Sequence, residues 1–179
     1  RTDVQQFKVR LPEKSGIDFG EFELLFSCLT NLTHLTVIAV RGFRLTRAER
    51  WEHLIRTYLP HLRDFRFKFN PILERTDARQ LLAAFQTPFW LVEHRWHVHC
   101  DYHRVQSTGW RDTKNVHLYT LPYCHDEFYL CSSTTALTDT GKDVYATIGQ
   151  LCFIINGPLE TNLQDRFQFP SLHSLAVQN

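Results

Sequence analysis

The run Trp96-His-Val-His-Cys-Asp-Tyr-His103 is the densest group of chemically versatile side chains in the sequence. In a strand, successive side chains alternate faces, so Trp96, Val98, Cys100 and Tyr102 would point one way and His97, His99, Asp101 and His103 the other. A His-x-His pair on one strand face can hold zinc, with Asp101 or a third histidine completing the set. That chemistry would make the chain a zinc-dependent hydrolase centred on His97 and His99. The competing reading is the solvated face of a half-buried strand, which produces the same alternation without a metal. We adopt it, expecting neither metal nor cofactor.

The same parity extends to two earlier segments. Asp64, Arg66 and Lys68 occupy outward positions on one, and His34, Thr36 and Ile38 on the other. Laid side by side, the three segments would form a ladder with a neutral first rung, a basic second and a histidine-rich third. Such a face suits an acidic or mixed protein partner, and its histidines could make binding respond to pH. Arg95 flanks the third rung, and Trp110 lies in a polar loop beside Gly109, where an exposed indole is a plausible contact. The expected partner-binding set is His34, Thr36, Asp64, Arg66, Lys68, Arg95, His97, His99, Asp101 and Trp110.

Catalysis has little foothold. No Gly-x-Ser-x-Gly turn and no glycine-rich phosphate loop occurs, and the chain has only 7 glycines. Cys100 and Cys152 fall at inward or near-inward positions, where a thiol behaves as a small hydrophobe. The five cysteines form no Cys-x-x-Cys pair, which fits reduced thiols in the cytoplasm or nucleus. Asn31-Leu-Thr33 matches a glycosylation acceptor, but Leu32 opens an apolar strand there, so the match is read as chance. Twenty basic against nineteen acidic residues leave a net charge of +1, with no bulk attraction toward nucleic acid. Apolar runs stop far short of the roughly 20 residues that cross a bilayer. The sequence contains no Met, so a fragment or processed chain is expected.

The elements that must carry these side chains repeat. Helices are expected after Asp18, Thr46 and Asp77, each followed three residues on by Glu21, Glu49 or Gln80 as a capping box. Apolar stripes follow at helical spacing, such as Phe22, Leu25, Phe26 and Leu29, and Pro60 and Pro88 mark helix ends. Strands come next, as Leu32-x-x-Leu35-x-Val37, Leu62-x-x-Phe65-x-Phe67 and Trp96-x-Val98-x-Cys100 with Glu93 in the leading place. Positions 32, 62 and 93 are separated by 30 and 31 residues, a repeat of about 30. The motif returns at Ile148-x-x-Leu151-x-Phe153 and Leu172-x-x-Leu175-x-Val177, and residues 4–11 read as the strand of an earlier, truncated unit.

Strands joined by helical crossovers should lie parallel. The expected fold is therefore an α/β leucine-rich-repeat-like solenoid with parallel strands on the concave face and helices on the convex face. It would form a single domain over residues 1–179, with an irregular insertion at 104–144 and degenerate repeats at 145–179. Within the insertion, residues 116–121 could pair back on the third strand or add an edge, and 134–143 read as an exposed loop.

The runs Leu32-Thr-His-Leu-Thr-Val, 51–69 and Phe169-Pro-Ser-Leu-His-Ser-Leu resemble leucine-rich-repeat regions of F-box proteins. The Thr-Pro-Phe-Trp at 87–90, Glu-His-x-Trp at 93–96 and Leu-Tyr-Thr-Leu-Pro-Tyr at 118–123 are similar to a large invertebrate group of them. The likeness runs from about Phe19 onward. It implies the substrate-recognition part of an F-box-type ubiquitin ligase adaptor, with a protein held on the concave face. A Skp1-type ligase subunit is implied only if an F-box lies upstream, because none is present in these residues. A free-standing scaffold or sensor using the same face is the alternative.

Overall fold

The computed structural model describes residues 3–13, 15–74, 77–105, 113–138, 145–155 and 167–178. Strands β1 (Gln6–Leu11), β2 (His34–Val40) and β3 (Asp64–Asn70) run parallel and in register. Phe7, Leu35 and Phe65 share one row, and Val9, Val37 and Phe67 the next. Helices α1 (Phe19–Ser27) and α2 (Ala48–Tyr58) cover these rows, and α3 (Ala78–Ala83) lies against the later β5 (Val98–Val105). Trp51 of α2 joins helix and sheet. It is wholly buried, its ring lies 5.1 Å from Phe19 and 4.8 Å from Phe65, and its Nε1 donates to the Leu45 carbonyl at 2.8 Å.

The helix starts differ. Asp18 Oδ1 accepts from Gly20 N and Glu21 Oε2 accepts from Asp18 N, so both halves of a capping box close α1. Asp77 caps α3 by accepting from Arg79 N. Thr46 does not cap α2. It is buried at the end of a 3₁₀ turn, Phe43–Thr46, where its hydroxyl donates to the Phe43 carbonyl, and Arg47 takes the N-cap position without a side-chain bond.

The leucine-rich-repeat-like solenoid is not what the chain forms. After β3, a short β4 (Ile72–Glu74) and α3, the chain makes a π-helical turn, Phe89–Glu93, and enters β5. The next strand, β6 (Thr113–Thr120), doubles back on β5 in an eight-residue antiparallel ladder from Val98↔Thr120 to Val105↔Thr113. β6 then inserts between β5 and β3, antiparallel to both. With β8 (Thr135–Ala136) on the far side of β5, the mixed sheet has the order β1-β2-β3-β6-β5-β8, and β4 also pairs with β6.

The physical reason lies in the connection. Antiparallel strands need only a local return, whereas continued parallel stacking needs a long crossover between β5 and its neighbour. Residues 113–120 supply a strand with apolar Val116 and Leu118 on one face and His117 and Tyr119 on the other, and that strand occupies the β3 edge. Trp96 consequently stands outside the rows of Leu35 and Phe65. It precedes β5, packs edge-on to Phe65 at 5.7 Å, and donates from Nε1 to the Arg63 carbonyl.

The expected degenerate repeats pair in parallel with each other, Leu151 beside Leu175 and Phe153 beside Val177, but outside the first sheet. β9 (Gln150–Ile154) lies between β7 (Glu127–Cys131) and β10 (Ser174–Gln178) in a separate three-stranded parallel sheet. This second sheet covers part of the first sheet's face opposite the helices, around a core of Tyr119, Tyr123, Phe128, Leu130, Tyr145, Ile148, Leu151 and Phe167. The stretch 104–144 is thus no mere excursion, because it supplies a central strand and one strand of the second sheet. Thr134, expected in an exposed loop, is buried, and Thr135 and Ala136 pair with β5. Among the described residues, no helix is long and apolar enough to cross a membrane.

Replacing Trp51 with Ala should cost about 3–5 kcal/mol, since it deletes a fully buried ring that joins α1, α2 and β3. Denaturant unfolding of the wild type and Trp51→Ala measures this. A loss below about 1 kcal/mol would mean that the helix layer does not depend on that ring.

Candidate functional site

Strand register fixes which polar side chains share the face opposite the helices. Across the parallel strands the rows are Gln6, His34 and Asp64; Lys8, Thr36 and Arg66; and Arg10, Ile38 and Lys68. Beyond β3 the rows continue through β6, where Lys68 faces Tyr119, Tyr119 faces His99, His117 faces Asp101, and Asn115 faces His103. The β1–β3 half is open. Gln6, Lys8, Arg10 and His34 are exposed, while Thr36, Asp64 and Arg66 are half-buried.

The β5–β6 half lies under the second sheet. The Tyr119 hydroxyl donates to Asp101 Oδ2 at 2.6 Å and lies 2.6 Å from the Tyr145 hydroxyl, forming a buried chain from β5 through β6 to the second core. His99 Nδ1 lies 2.6 Å from the Thr138 hydroxyl. Burial pushes His99 down to about 4 and His117 down to about 3, and it also lowers His103. These rings are neutral at pH 7, because removing an imidazolium from water costs more than their surroundings return.

Where the covered and open halves meet, a cavity of about 300 Å³ opens between the sheets. Ile38, Val40, Lys68, Asn70, His103, Asn115 and His117 line it from the first sheet, and His125, Glu127, Tyr129, Cys131 and Ile154 line it from the second. Lys68 is only 6% exposed. Its Nζ donates to the Glu127 carbonyl at 3.2 Å and lies 5.5 Å and 5.6 Å from the Tyr123 and Tyr129 ring centres. Among the described residues no carboxylate forms an ion pair with it. Burial, opposed by the nearby Glu127 charge and reinforced by Arg10, brings the amine down to about 8. Among the described residues, two of those lining the cavity carry solvent-shielded atoms without a hydrogen-bond partner, His103 Nδ1 and Asn70 Oδ1.

The structure therefore brings together some expected site residues and separates others. His34, Thr36, Asp64 and Arg66 share the open face, with Asp64 Oδ2 2.8 Å from Arg66 Nε. Lys68 shares their strand parity but sits in the cavity wall. Asp101 and His99 are buried beneath the second sheet, and His97 is exposed just outside β5. The histidine-rich rung is thus not adjacent to the basic one, because β6 lies between them. Arg95 is exposed in a left-handed backbone conformation with φ 56° at the turn into Trp96, and Trp110 lies outside the described residues. Among the described residues no group of three or more His, Cys, Asp or Glu side chains is placed to hold a metal ion.

Lys8, Arg10, Asn70, Asn115, His117, His125, Glu127 and Tyr129 were missed. Two alternations carried a signal: Phe7-Lys-Val-Arg, placing Lys8 and Arg10 on one face, and Val116-His-Leu-Tyr, placing His117 and Tyr119 on one face. No known family model matches the chain, and no curated protein or solved structure is significantly similar to it.

Two buried neutral histidines give folding a defined acid dependence. Their folded-state values lie below the ordinary 6.5, so the unfolded chain takes up protons first as pH falls. The stabilisation is fully present above about pH 6.5. It is lost as pH falls toward about 4 for His99 and about 3 for His117. Urea unfolding should weaken between pH 7 and pH 5 by up to about 1.4 kcal/mol per pH unit for each histidine. The double variant His99→Gln, His117→Gln should flatten that slope, and an unchanged slope would refute the assignment.

Proposed function

We propose that this chain is a protein-interaction module that receives an acidic segment of its partner on the open half of the first sheet. The observation that carries this reading is the charge on three registered rows. Lys8, Arg10 and Arg66 present cations with Asp64 as the only acid among them, although the whole chain has a net charge of just +1. A local excess of one sign on a near-neutral chain favours a partner of the opposite sign and speeds its encounter. The side chains stand on paired strands, so few degrees of freedom are lost when a partner docks.

The resemblance of residues 87–90, 93–96 and 118–123 to the invertebrate F-box group extends the proposal. The partner is then a protein destined for ubiquitination, and a Skp1-type subunit is recruited only if an F-box lies upstream. Cys100, Cys124 and Cys152 are free thiols, which fits a reducing cytoplasmic or nuclear setting.

The test is quantitative capture from the native cells, comparing the wild-type protein with a Lys8→Glu, Arg10→Glu, Arg66→Glu variant. A specific partner should drop at least about tenfold in the variant and be released by salt. Its level should also rise when the protein is depleted. Equal recovery by both forms would remove the open face from the reading, and a partner whose abundance ignores depletion would remove the ligase link.

A further inference from the structure

We propose that the cavity between the two sheets is a binding site for a single carboxylate carried on an apolar body, with the Lys68 ammonium as its counter-ion. Three independent features point there. The first is a buried cation without an acid. Lys68 spends one hydrogen bond on the Glu127 carbonyl, leaving two N–H donors, and no described carboxylate lies within ion-pair distance, so only the more distant Glu127 charge offsets its burial. The second is that Asn70, His103 and Asn115 bring polar side chains to the same wall. A few polar groups beside an ammonium on an otherwise apolar lining suit a ligand with one polar end.

The third feature is the cavity's size and lining. About 300 Å³ holds roughly ten waters at about 30 Å³ each, or an aliphatic acid of similar heavy-atom count. Ile38, Val40, Tyr129 and Ile154 provide apolar contact for its body.

The charge count selects a monoanion. Lys68 is the one cation among the described lining residues, His103, His117 and His125 are held below their ordinary value by burial, and the Glu127 carboxylate at the rim repels a second negative charge. A phosphate dianion would meet too little positive charge. A carboxylate matches it.

Two sources share this chemistry: a free small carboxylic acid, and the C-terminal carboxylate of a peptide chain. Calorimetric titration of the folded protein separates them with octanoate against 1-octanol, and with acetyl-Gly-Gly-Leu as free acid against its amide. Octanoate binding with a Kd near about 1 mM or below, and no binding of octanol, supports the site and a small-acid source. Tighter binding of the peptide acid than of octanoate, with the amide inert, supports it with a peptide source. Lys68→Met should weaken the bound carboxylate at least about tenfold, and His103→Gln by a smaller factor.

The wild type carries a second readout should Lys68→Met fail to fold. The charged and titratable groups facing Lys68 are Arg10 from β1, His117 from β6, and Tyr123, Cys124, His125, Glu127 and Tyr129 from the second-sheet side. The histidines are already neutral, and burial raises Tyr123, Cys124 and Tyr129. Carboxylate affinity should therefore hold to about pH 8 and then fall toward tenfold per further pH unit as the amine loses its proton.

Octanol binding as well as octanoate, affinity that is flat to pH 9.5, or neither acid binding at about 10 mM would each overturn the proposal. Lys8, Arg10 and Arg66 do not line the cavity, although Arg10 faces Lys68, so failure of the protein-capture experiment and failure of this one can be told apart.

Discussion

The outer edge of β3 governs the rest of the molecule. Phe65, Phe67 and Phe69 make this strand the most deeply buried of the parallel three, and a strand at that depth cannot leave a row of backbone groups without partners. β6 closes the edge, but only Lys68↔Tyr119 and Phe69↔Leu118 pair directly. One step earlier the ladder is completed by a side chain, as the Phe67 amide donates to Thr120 Oγ1 at 2.9 Å. One step later Pro71, which has no amide proton, ends β3, and its carbonyl accepts from Val116 N as β4 takes over the pairing at Ile72↔Asn115. This short join sets Tyr119 beside Lys68.

From that placement the second half of the chain follows. A tyrosine wholly inside a protein needs a partner for its hydroxyl, and Tyr119 finds Asp101 on β5 and Tyr145 beyond the first sheet. The ring meets Tyr123 edge-on at 5.1 Å and Phe128 edge-on at 6.1 Å, the arrangement that aligns ring edge with ring face. Strand β6 thereby serves two cores. Val116 and Leu118 face the helix side while Tyr119 belongs to the core beneath the second sheet. A strand covered on both faces keeps polar residues inside only when they are bonded or neutral, and the Asp101–Tyr119–Tyr145 chain and the deprotonated His117 meet those two conditions.

The sequence was most legible where local physics decides. The Asp18 and Glu21 box, the stripe through Trp51, Leu54 and Ile55, and the strands around Leu35 and Phe65 depend on contacts within one or two elements. Thr46 misled because its hydroxyl had two acceptable uses, capping the helix or closing the preceding 3₁₀ turn, and burial selected the second. The larger error was topological. A period of about 30 residues tells which segments are strands, but it does not say which strand will take the free edge of β3. Strand parity put His97 and His99 on one face, yet the strand begins only at Val98, and parity could not show that another sheet would cover His99 and leave His97 outside. The cavity was illegible for the same reason, since its walls join residues 38–40, 68 and 70 with 103, 115, 117, 125–131 and 154.

Lys68 sits on the line where the second sheet stops, and this explains why a lysine is tolerated there. Its stem covers apolar surface, its head group faces two aromatic rings and a carbonyl, and Arg10 in the same row opposes its charge. None of these contacts supplies the negative charge that usually accompanies an ammonium at such depth. Leucine or methionine at this position would fill the same volume without the desolvation cost, so packing alone does not account for the residue. The unpartnered His103 and Asn70 atoms repeat that discrepancy on the same wall. Local choices that oppose stability and cluster around one void are what a binding site requires, because its polar groups must stay unsatisfied until the ligand arrives.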